Sequence, residues 1–154
     1  MKNVVGLIAA GVATLALLIV VCRMVDVTGN KYNLVVLTAT AAGGLCTLTR
    51  LLEVLNARGV KKIAYFDEKK KQIAWLITIF VIISGGFGGI ALFWYAVALY
   101  NLNVSGLMGS SMKTHLLVDM VCLATAAAAN LLNFVMGILQ IKEADGPPTG
   151  PPPS

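Results

Sequence analysis

Four long apolar runs, nearly free of charge and separated by short polar stretches, set the pattern of this chain. The first extends from Val4 to about Cys22, the second from about Asn33 to Leu55, the third from Ile73 to about Tyr100, and the fourth from Leu116 to Ile141. Lipid offers the backbone no hydrogen-bond partner, so a segment crossing it must be a helix of roughly 20 apolar residues. Each run meets that length. The third is the longest and carries no charge, leaving room for tilt or a kink. The pattern predicts an all-α integral membrane four-helix bundle in which short loops make consecutive helices antiparallel neighbours, up-down-up-down. The transmembrane domain is expected over 1–141 and a proline-rich tail over 142–154, because the prolines from Pro147 onward enforce extended backbone.

Composition agrees with this reading. Of 154 residues, 58% are hydrophobic and only 12% charged, too few to coat a water-facing surface. The net charge of +5 is not spread over a soluble face but is concentrated in one loop, so it reads as topology-setting charge beside anionic lipid and not as a nucleic-acid surface. Lys2, Arg58, Lys61, Lys62, Lys69, Lys70, Lys71 and Lys142 fall on one side of a four-pass chain, against Arg23, Lys31 and Lys113 on the other. Lysine and arginine favour the cytoplasmic side, which puts both termini and the basic middle loop there, in a plasma or internal membrane. The first run exceeds a secretory h-region and is followed by no small-residue cleavage site, so it is expected to be a retained span. Asn103-Val104-Ser105 then lies outside, where Asn103 is a glycosylation sequon.

Close backbone approach and a few polar contacts must hold such helices together, since apolar side chains gain little from leaving lipid. Gly43 and Gly44 in the second span, and Gly85 with Gly89 four residues on in the third, are the expected packing positions; the latter pair is a GxxxG groove, read first as internal to the bundle. Asn130 and Asn133, near the middle of the fourth span, are expected to join helices by hydrogen bonds, or alternatively to line a ligand cavity.

Three intramembrane charges remain. Arg50 lies about 17 residues, hence about 26 Å, along the second helix, so it is expected to reach the cytoplasmic interface by snorkelling and to pair with Glu53 on the same face. Asp119 is about one turn inside the fourth helix, close in sequence to Lys113 and His115. His115 itself is expected to be interfacial. Trp75, Trp94, Tyr95, Tyr100, Tyr32 and Tyr65 suit interfacial belts.

No catalytic constellation is visible. Cys22, Cys46 and Cys122 make no CxxC or metal spacing, so the chain is expected not to be an enzyme and to use no cofactor.

Four spans in about 150 residues, with both ends inside, short outer loops and a basic inner loop, resemble the MARVEL-like tetraspan proteins. The resemblance covers most of the chain, is one of architecture, and assigns no residue a role. The abundance of small-residue faces beside the lack of any reactive cluster leads to the expectation of a non-enzymatic tetraspan that organises membrane domains or partner proteins by helix packing. The alternative from the same features is a small accessory or structural subunit of a large membrane complex. Expected partners are the lipid bilayer, homo- or hetero-oligomeric membrane proteins, and a cytoplasmic partner for the proline-rich tail.

Overall fold

A computed structural model describes residues 2–23, 31–106 and 110–144. The proline-rich segment 146–154 lies outside the described residues, as do the side chains of Lys2, Lys31 and Tyr32. The chain is all-helical: α1 (Lys2–Cys22), α2 (Lys31–Ala57), the short α3 (Ala64–Glu68), α4 (Lys70–Ser105) and α5 (Ser110–Ala144). Four of these helices are long and apolar enough to cross a membrane.

The four long helices pack as a ring in the order α1, α2, α4, α5, with α5 returning to α1. Sequence neighbours are thus antiparallel neighbours. The start of α1, the end of α2, the start of α4 and the end of α5 share one end of the bundle. α4 and α5, of 36 and 35 residues, are each about 50 Å long, well beyond the roughly 30 Å of a hydrocarbon core. Their surplus is polar: Lys70, Lys71 and Gln72 open α4, and Asn101, Asn103 and Ser105 close it. The apolar run therefore underreports the helix. α3 and these extensions were not legible in the hydropathy pattern.

Many small side chains are buried and many large ones are exposed. Ala10, Ala13, Ala39, Ala91 and Ala126 are buried, while Leu15, Leu34, Phe93 and Leu131 are more than 60% exposed. Small side chains let the backbones approach, and large ones face the surroundings, as expected where lipid is the solvent. Tyr95 departs from the expected aromatic belt. It is one residue past the exposed Trp94, hence turned about 100° around the helix, and it joins the core with Leu17 and Leu123.

Hydroxyls inside the spans are satisfied locally. Thr14, Thr40, Thr47 and Thr78 each donate to the carbonyl four residues earlier at 2.8 Å, and Thr14 and Thr47 meet across the α1–α2 seam at 3.0 Å. α2 ends in a glycine cap. Gly59 has φ +73°, its N–H bonds Asn56 O and the Val60 N–H bonds Leu55 O, which terminates the helix and starts the basic loop.

Candidate functional site: a polar cluster at each end of the bundle

Arg50 departs from the snorkelling expectation. It is at the expected height, two turns before the end of α2, but its side chain is fully buried and points across the bundle. Its Nε and Nη2 donate to Asn133 Oδ1 at 3.1 and 2.9 Å, and Nη2 also reaches the Asn133 carbonyl at 3.5 Å. Nη1 donates to Gln140 Oε1 at 2.5 Å and to Glu53 Oε1 at 3.3 Å. The Arg50–Glu53 ion pair is therefore present, three residues apart along α2.

Room for the guanidinium comes from Gly6 on α1, a residue that sequence reasoning missed. A Cβ on Gly6 would stand 2.6 Å from Arg50 Cζ and 2.7 Å from Nε. Nothing local marks Gly6 for this role, because the contact is with a helix more than 40 residues away. A charge buried among helices is stable only when its donors are filled, and here all three guanidinium nitrogens have acceptors.

Asn133 also donates to Cys46 Sγ at 3.1 Å, so it bridges two positions on α2. Gln140 extends the network by donating to Glu53 Oε1 at 2.9 Å and to Asn3 Oδ1. Asn3 and Gln140 were not singled out by sequence reasoning, and Cys46 was weighed there only for redox and metal chemistry; a glutamine near a helix end carries no local signal of burial.

Beyond this cluster a cavity of about 540 Å³ opens at the same end. α3 and the loop before it form part of its wall, through Lys62, Phe66 and Asp67. Asn56 holds that segment: its Nδ2 donates to Asp67 Oδ1 at 3.0 Å, and its Oδ1 accepts the Ile63 N–H at 2.8 Å. Glu53, Gln140, Asn3, Lys70 and Glu143 line the remainder.

The second cluster occupies the opposite end. Asp119, 1% exposed, accepts from Arg23 Nε at 3.3 Å. Arg23 lies just beyond α1, so it and not the sequence-adjacent, exposed Lys113 is the partner. Arg23 Nη2 also meets His115 Nδ1 at 3.2 Å. Guanidinium nitrogens only donate, so Nδ1 is the acceptor and the ring proton resides on Nε2.

Between the two ends the buried polar side chains include the hydroxyls of Thr78 and Ser84 and the amide of Asn130, which donates to Ser84 Oγ at 3.3 Å and so links α5 to α4. The glycines divide. Gly43 is tight, with its Cβ position 2.9 Å from Thr14 Oγ1 and 3.3 Å from Ser84 Oγ, and Gly85 lies 3.7 Å from Asn130 Cβ. Gly44 and Gly89 meet nothing within 4 Å, so the GxxxG pair does not form a single packed groove inside the bundle. At Gly137 on α5, unremarked in the sequence, a Cβ would stand 2.6 Å from Thr78 Oγ1 on α4. Asn103 is exposed in the last turn of α4.

Among the described residues no group of three or more His, Cys, Asp or Glu is placed to hold a metal ion. The three cysteines are free. The chain matches no protein-family model, no curated protein and no solved structure.

Proposed function

We propose that this chain is a non-enzymatic four-pass membrane protein that organises membrane domains or partner proteins by helix packing, with the Arg50 end of the bundle in the cytoplasm. The observation that carries the reading is the division between a closed polar interior and an open apolar exterior. Among the described residues no buried side-chain nitrogen or oxygen lacks a hydrogen-bond partner. The ionisable groups are sequestered at the two ends, away from the midplane where a transport site would need them.

The exterior supports association. Gly86 and Gly89 on α4 meet no neighbour within the bundle, and Ala124 and Ala128 on α5 are exposed. Small residues on a lipid-facing surface let another helix come close. The exposed Arg58, Lys61, Lys62, Lys69, Lys70 and Lys71 crowd one end, which supports the orientation by the positive-inside rule and contact with anionic lipid. The MARVEL-like layout belongs to the same proposal.

Crosslinking of the full chain in native membranes tests it. Assemblies larger than one chain are the expected result, and a strictly monomeric chain at every crosslinker length overturns the proposal.

A further inference from the structure

The cavity at the Arg50 end has the size of an ordinary small-molecule pocket, about 540 Å³, and its lining carries both signs of charge. The cations enter from the loop and α4: Lys62 and Lys70 are exposed and make no ion pair among the described residues. The carboxylates of Glu53 and Glu143 and the amides of Asn3 and Gln140 enter from α1, α2 and α5, and Asp67 on α3, held by Asn56, adds a third carboxylate. Glu53 is oriented in advance, because Arg50 and Gln140 both donate to its Oε1.

This lining selects against the simpler ligands. An anion drawn in by the lysines would meet the Glu53 carboxylate, and a plain cation would meet the two ammonium groups. A ligand carrying only one sign faces a like charge on the opposite wall. A molecule with both charges satisfies both walls. Lysine is suited to a phosphate as a point charge, and carboxylate and amide oxygens accept N–H donors. A quaternary ammonium has no N–H to give and prefers aromatic faces, of which Phe66 is the only one here.

We infer that this cavity binds a small zwitterion of the phosphoethanolamine type, with its phosphate at Lys62 and Lys70 and its primary ammonium at Glu53. The cavity lies where the four helix ends meet, at the edge of the apolar spans, which is the level of lipid headgroups. The same chemistry is available from phosphatidylethanolamine and from free phosphoethanolamine in water. Binding is independent of the assembly proposed above, since no lipid-facing glycine takes part.

The test is native mass spectrometry of the full chain in mild detergent, with phosphatidylethanolamine, phosphatidylcholine and phosphatidylglycerol added in equal amounts. Phosphatidylethanolamine is expected to be retained at least about fivefold over each of the others, roughly 1 kcal/mol of discrimination. Lys62→Ala combined with Lys70→Ala, both at exposed positions, should lower the retention of phosphatidylethanolamine and of the other two lipids alike, because the phosphate is common to all three, with an unchanged melting temperature. Glu53→Gln should remove the preference over phosphatidylcholine. Displacement of the lipid by millimolar phosphoethanolamine, or direct binding of that compound alone, upholds the inference and assigns a soluble source. Retention of the lipid against it upholds the inference and assigns a lipid source. Equal retention of all three lipids by the parent chain, stronger retention of phosphatidylglycerol, or phosphatidylethanolamine retention undiminished in the double lysine variant overturns it.

Discussion

The guanidinium of Arg50 rests against Gly6, so closely that a Cβ on that residue would stand 2.6 Å from Cζ. An arginine tip is ordinarily flexible, but this one is held by Asn133, Gln140 and Glu53. Gly6→Ala is therefore expected to displace a buried charge from its acceptors and destabilise the bundle by about 2–4 kcal/mol. Gly11→Ala, on the same helix with nothing within 4 Å, should stay within about 0.5 kcal/mol of the parent. Unfolding in an SDS titration measures both.

Asn133 is the acceptor that Arg50 depends on most. Asn133→Leu leaves the guanidinium buried and short of acceptors, and should cost about 3–5 kcal/mol. Combining it with Arg50→Met removes the stranded charge, so the double variant should be more stable than Asn133→Leu alone. A double-mutant cycle showing no coupling between the two sites contradicts the network.

The Arg23–Asp119 pair, at the far end of the bundle from Arg50, should behave independently. Asp119→Ala strands the half-exposed Arg23 and is expected to cost about 1–3 kcal/mol. Added to Asn133→Leu, its effect should sum to within about 0.5 kcal/mol, because the sites share no partner. The same unfolding titration of the two single variants and the double reads this out.

Gly137 on α5 packs closely against Thr78 on α4. Gly137→Ala puts a methyl 2.6 Å from Thr78 Oγ1 and should cost about 1–3 kcal/mol. Thr78→Ala removes that oxygen, so the pair Gly137→Ala with Thr78→Ala should recover most of the loss. Gly89→Ala, facing open space, should leave thermal stability unchanged.

Topology is checked by single cysteines in a Cys22→Ala, Cys122→Ala background, where the remaining Cys46 is 2% exposed. Lys61→Cys and Lys142→Cys should react with a membrane-impermeant maleimide only after the cytoplasmic face is opened. Lys113→Cys should react only from the opposite face of the membrane.

What the amino-acid sequence determined by itself is the number, placement and alternation of the four apolar spans. That information is local: a backbone in lipid must satisfy its own hydrogen bonds within one segment, so roughly 20 apolar residues suffice to specify a span. The same locality explains why Arg50–Glu53, three residues apart on one helix, was legible. What only the tertiary structure decided is where each polar side chain points. In helices apolar all round, no periodicity marks an inward face, so nothing in the sequence distinguished an Arg50 that snorkels from one turned inward against Gly6. Arg23 and Asp119 are 96 positions apart, and Gly137 and Thr78 meet only because α4 and α5 pack side by side. Those pairings depend on the rotation of each helix about its axis, which the fit of small residues between neighbouring backbones sets and no single segment encodes.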